Sequence, residues 1–139
     1  MAFRFEADLA EPLCAWLRAE GFRVCVEVPI VSRRADLFAW RGENVTAIEM
    51  KLHDWAEALH QAVAYQLAAD WTWVAMPLAA ASRAYRERWR FEAERVGLLA
   101  VDDRGKVRTP ISAGRSPRLL PFVQDKILAT WREPKVGDD

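Results

Sequence analysis

Apolar residues recur along this chain with a period that changes from segment to segment. Between Phe5 and Glu20, Leu9, Leu13, Trp16 and Leu17 stand at helical spacing, and Gly21 supplies a natural stop. Phe22 to Val28 alternates. Phe22, Val24, Val26 and Val28 fall on one side, and Arg23, Cys25 and Glu27 on the other, which predicts a half-buried strand ended by Pro29. Val31 to Arg34 leads into two apolar runs, Ala35 to Trp40 and Val45 to Lys51, separated by the polar turn Arg41-Gly42-Glu43-Asn44. The three strands predict an antiparallel meander.

The period then returns to helical. Asp54 is placed to cap, Glu57 takes the capping-box position, and Trp55, Leu59, Ala62, Val63 and Leu67 form a stripe that ends near Asp70. Trp71 to Met76 is short, apolar and closed by Pro77, which suits a buried parallel strand reached by a right-handed crossover. A further helix is expected from Ala80 to Val96, its polar side carrying five arginines among glutamates. A short strand at Leu98 to Val101, a turn at Asp102 to Gly105, the strand Lys106 to Arg108, a polar loop at Thr109 to Pro117 and a last helix within Leu119 to Trp131 follow. Glu133 onward reads as a frayed tail.

Composition narrows the class. The 139 residues include seven tryptophans, and 52% of the chain is apolar, so one folded domain spanning 1–139 with a sizeable core is expected. No internal repeat or domain boundary shows. The formal net charge is zero, which excludes a global basic field for nucleic acid and leaves local patches. Cys14 and Cys25 lie among apolar neighbours and read as buried thiols. Neither a signal-peptide pattern nor a bilayer-length apolar run is present, so a cytoplasmic protein without membrane attachment is expected. His53 and His60 lack a thiol or third ligand, and no zinc is assigned.

The hairpin carries the chemistry. If Trp40 pairs with Val45, counting outward places Asp36 directly opposite Glu49. Opposed side chains have Cβ atoms roughly 4.5–5.5 Å apart, where like charges are destabilising. A divalent cation or a shared proton removes that penalty. Lys51 follows Glu49 by two residues and so projects from the same face. Gln61 and Tyr65 are one turn apart on the following helix.

Asp36, the triplet Glu49-Met50-Lys51 and the pair Gln61-x-x-x-Tyr65, in that order on these elements, resemble the PD-(D/E)xK nuclease superfamily. The resemblance spans Glu6 to Pro77. It departs from the family pattern in having Ala35 where proline often precedes the first acid. It implies a restriction-endonuclease-like αβββαβ core at about residues 5–77, an α/β fold with a central mixed sheet flanked by helices, and an extension over 78–132. It also implies Mg²⁺, with Mn²⁺ as a substitute, held by Asp36, Glu49 and the Met50 carbonyl. DNA is the implied substrate, cleaved by metal-dependent hydrolysis.

Lys51 is expected to orient the attacking water or stabilise the transition state, or alternatively to act as the base. Gln61 and Tyr65 are expected to position these groups. The family often adds a glutamate from its first helix, for which Glu6 is the choice, with Glu11 and Glu27 as rivals. Arg33 and Arg34, with Arg104, Lys106, Arg108, Arg115 and Arg118, are expected to contact phosphates. The competing reading is a non-catalytic relative that binds nucleic acid or a protein partner. A homodimer is compatible with both.

Overall fold

A computed structural model describes residues 3 to 132, so the expected tail from Glu133 lies outside the described residues. Six strands form one mixed sheet in the order β1 (Arg23–Ile30), β2 (Arg33–Arg41), β3 (Asn44–Met50), β4 (Trp71–Pro77), β5 (Gly97–Val101), β6 (Val107–Ile111). The first three pair antiparallel, β3, β4 and β5 run parallel, and β6 returns antiparallel. A 3-10 turn (Glu6–Leu9) and α1 (Ala10–Ala19) cover one face of the sheet. The other face carries α2 (Trp55–Tyr65), α3 (Leu78–Tyr85), α4 (Arg88–Glu94) and α5 (Pro121–Trp131). The expected mixed sheet flanked by helices is thus the fold, and among the described residues no helix is long and apolar enough to cross a membrane.

The pattern explains most elements. Leu9, Leu13 and Leu17 are buried against Leu37, Ile48, Ala75 and Leu99. Val74 and Met76 project to the opposite face, among Ala58, Ala62, Ala80, Ala84 and Phe91. A strand covered on both faces must be apolar throughout, which is how Trp71 to Met76 reads. Asp54 caps α2 by accepting the Glu57 N–H at 3.0 Å.

Several boundaries differ from expectation, each for a local reason. The first helix opens as a 3-10 turn because Pro12 has no N–H to bond one turn back. The helix expected from Ala80 to Val96 starts earlier, at Leu78, and breaks at Arg86–Glu87, where the N–H groups bond to Arg83 and Ala84. That break lets Phe91 turn into the core. The α2 helix ends at Tyr65, short of Asp70, because Asp70 is drawn into the sheet, its carboxylate accepting the Val45 N–H at 3.0 Å. The strand expected to close at Arg108 continues to Ile111, taking part of the supposed loop.

The largest departure is in β1. Pro29 does not end this strand; it is tolerated because β1 is an outer strand. Glu27 sits in the left-handed region at φ +52, so the alternation breaks there. Val26 is 55% exposed while Val28 and Ile30 are buried on the side of Phe38 and Tyr65, not of Val24. The hairpin tip is strained too, since Val31, β-branched and exposed, adopts φ +56.

Candidate active site

Glycine at the β2–β3 turn fixes the register on which the site depends. Gly42 takes φ +59, Trp40 pairs with Val45, and the paired ladder runs to Leu37 and Ile48, from which one further step outward sets Asp36 against Glu49. On the other side of β2, Val26 pairs with Leu37 and Val28 with Ala35, so Glu27 falls across from Asp36. Three acids thus stand in one row across β1, β2 and β3.

The row is held by specific bonds. Asp36 accepts the Met50 N–H at 2.7 Å. Glu49 is only 5% exposed, and the Tyr65 hydroxyl lies 2.5 Å from its carboxyl. The same hydroxyl lies 2.8 Å from the Arg34 carbonyl, which ties α2 to the β1–β2 hairpin, and 3.4 Å from Gln61 Oε1. A hydroxyl carries one hydrogen. Donated to Glu49, the nearest of the three acceptors, it favours the ionised carboxylate.

Burial works against that bond. Burial raises Glu49, the Tyr65 hydroxyl opposes this, the Asp36 charge adds to it, and Glu49 is pushed up to about 8. Asp36 is also raised by burial, against the pull of the Met50 N–H and Glu49, with the charges of Glu6 and Glu27 adding. Burial and the neighbouring Glu49 raise Tyr65. Two carboxyls forced together out of water share one proton in place of a cation.

Lys51 stands at the C-terminal end of β3 and pairs with Glu57. That pairing raises its pKa, burial opposes, and the charges of Glu6, Glu57 and Glu49 add, so the side chain stays an ammonium. The base role expected as an alternative does not suit such a group. Glu57 is the residue that sequence reasoning undervalued. The sequence marks it as a capping residue, and its position three residues into the helix that follows Lys51 is the signal for its second role.

Glu6, on the exposed 3-10 turn, acts on both Asp36 and Lys51, and Glu27 acts on Asp36. Glu11 is exposed on α1 and is not among the charges acting most strongly on either. Among the described residues, no group of three or more His, Cys, Asp or Glu side chains is spaced to hold a metal. The Asp36–Glu49 pair still fits Mg²⁺, which commonly takes one or two carboxylates and completes its shell with water and substrate phosphates.

The arginines divide. Arg33 is exposed and acts on Tyr65, whereas Arg34 pairs with Glu27 at 3.5 Å. Arg104, Lys106 and Arg108 are exposed on the β5–β6 turn, at the same end of the sheet as Lys51 because β3 and β5 run in parallel. Asp102 organises them, accepting the N–H groups of Arg104 at 2.9 Å and Lys106 at 3.0 Å and facing Arg108 at 3.7 Å. Arg115 and Arg118 are not free for phosphates. Arg115 bonds Asp70 at 3.1 Å, and Arg118 bonds Gln66 and reaches Glu94 at 2.7 Å.

No protein-family model and no curated protein matches the chain. Among solved structures, the chain is similar to a protein of unknown function from Silicibacter pomeroyi. The TM-score is 0.72 at 18% identity, over 95% of this chain and 86% of that one. At that identity the likeness concerns the fold alone.

Proposed function

We propose that this chain, folded as an α+β mixed sheet flanked by helices, is a Mg²⁺-dependent nuclease of the PD-(D/E)xK kind that hydrolyses phosphodiester bonds in DNA. One observation carries the reading: two opposed carboxyls, Asp36 and Glu49, are kept together near the start of β2 and the end of β3, with the Lys51 ammonium two residues beyond Glu49. That juxtaposition costs stability unless a proton or cation neutralises it.

Asp36, Glu49 and the Met50 carbonyl are the oxygens that would hold Mg²⁺. When bound, the ion lowers the pKa of a water and offsets charge developing on the phosphate. The chain's own groups do the rest. Tyr65, donating to the Glu49 carboxyl beside the Arg34 carbonyl, fixes the orientation of that carboxyl. Gln61 stands beside that hydroxyl, at 3.4 Å. Lys51 supplies a fixed positive charge to a non-bridging phosphate oxygen, and a substrate phosphate must compete with Glu57 for it. Arg33 and the β5–β6 turn are placed to meet phosphates on either side.

The test is cleavage of plasmid and oligonucleotide substrates with and without Mg²⁺. Wild type is expected to cut only with the metal. Lys51→Ala is expected to lose about two to three orders of magnitude in rate, as loss of a fixed charge at a developing anion does, while keeping its melting temperature. Undiminished cleavage by Lys51→Ala removes the mechanism. A second reading, a non-catalytic nucleic-acid-binding relative, is favoured by the described residues' lack of three or more His, Cys, Asp or Glu side chains spaced to hold a metal. Metal binding without cleavage of any substrate form would select it.

A further inference from the structure

Arginine and aromatic side chains collect at the end of the sheet far from Asp36 and Glu49, where β1 begins. A groove of about 390 Å³ opens there between α5 and β1. Three arginines, Arg18, Arg23 and Arg132, and three rings, Phe22, Trp40 and Trp131, line it, and no carboxylate does. Among the described residues Arg18 and Arg23 have no carboxylate partner. Arg132 reaches only Glu43, at 3.9 Å. Trp131 is 39% exposed at the rim, while Trp40 is buried and forms the floor.

A free phosphate explains unpaired arginines but not rings, and an apolar ligand explains the reverse. A nucleotide explains both: a phosphate for the guanidiniums and a base for the exposed Trp131 ring, since the Arg41 guanidinium lies 4.8 Å from the Phe22 ring centroid and Trp40 is buried. The base must be unpaired, because duplex DNA keeps its ring faces stacked inside. The groove also leads somewhere. Trp40 and Asp36 lie on the same face of β2, four residues apart, which is about 13 Å at 3.3 Å per residue, and the outer edge of β1 beside them has no neighbouring strand.

We infer that this groove is a subsite for single-stranded nucleic acid, holding the strand at the start of β1 so that it runs along that edge to the acid pair. The identity of the ligand rests on the nuclease reading; the groove's chemistry does not.

The experiment is fluorescence anisotropy of a labelled oligothymidylate with the full chain in EDTA, in an Asp36→Asn background that cannot cut. Arg18→Ala/Arg23→Ala is expected to lose at least tenfold in affinity. Its salt slope should fall by about 1.4, from roughly 0.7 for each lost phosphate contact. Trp131→Ala is expected to weaken binding roughly five- to a hundredfold through lost stacking, and Arg18→Lys/Arg23→Lys should recover most of the affinity. Circular dichroism melting confirms that each variant folds. Unchanged affinity in the double-alanine variant, no oligonucleotide binding by the parent protein, or equal affinity for a duplex of the same length each overturns the inference. Because no metal is present, these results are read separately from cleavage, whose absence would count against the nuclease reading alone.

Discussion

The shared proton at Asp36 and Glu49 makes metal-free stability fall as pH rises. Glu49 has a pKa of about 8 in the folded chain against an ordinary 4.5, mainly through burial. Between those values the folded protein holds a proton that the unfolded chain has released. Unfolding then gives up one proton, and stability drops by up to about 1.4 kcal/mol per pH unit. From pH 5 to 7.5 the loss is about 3 kcal/mol, a large share of the 5–15 kcal/mol typical of a domain. Below the unfolded value both states are protonated and the contribution is fully present; above the folded value it is gone. Glu49→Gln, with no charge to bury, should flatten the curve and become relatively more stable at the alkaline end. The assay is urea denaturation in EDTA at half-unit pH steps. Saturating Mg²⁺ should restore stability at pH 7.5, by about 2.7 kcal/mol at a hundredfold excess over its dissociation constant. Wild-type stability that is level or rises from pH 5 to 7.5, or an equal slope in Glu49→Gln, refutes the reasoning.

Other outcomes follow from single contacts. Tyr65→Phe removes a hydroxyl that holds Glu49 down, so the pH at which Mg²⁺ binding is half-developed should move upward, at a stability cost of about 1 kcal/mol; calorimetric metal titration across pH reads it. Val31→Asn relieves a β-branched residue at φ +56 and should gain about 1 kcal/mol, seen as a melting temperature higher by a few degrees. Gly97→Ala puts a Cβ 2.4 Å from the Trp73 ring and 2.7 Å from the Ala113 nitrogen, so a loss of roughly 1–3 kcal/mol in denaturant melts is expected.

The hairpin that carries Asp36 and Glu49 was legible because its register follows from one turn: once Gly42 places the reversal, every facing pair is counted outward. The buried strand Trp71 to Met76 was legible from its unbroken apolarity, as was the Asp54 cap. What escaped was whatever depends on a backbone choice that side chains do not announce. The left-handed Glu27 swaps the faces of β1, and no residue type marks it, since glutamate rarely takes that conformation. The break at Arg86–Glu87 has no glycine or proline. The groove at the start of β1 joins residues distant in sequence, such as Arg18, Trp40 and Trp131, and emerges only once the sheet order is known. The arginines at 115 and 118 misled for the same reason, because the acids that take them lie 45 and 24 residues earlier.

The left-handed Glu27 has a consequence beyond the site. An open sheet edge invites strands from other copies and is a route to aggregation. In β1 the row of outward N–H and C=O groups is interrupted at Glu27, and Pro29 removes another donor, leaving only the stretch from Arg23 to Val26 regular. At the opposite edge, β6 has five residues with Pro110 among them and a register shift against β5. Neither margin offers a long uninterrupted ladder, so this chain should resist templated growth of its sheet even when crowded.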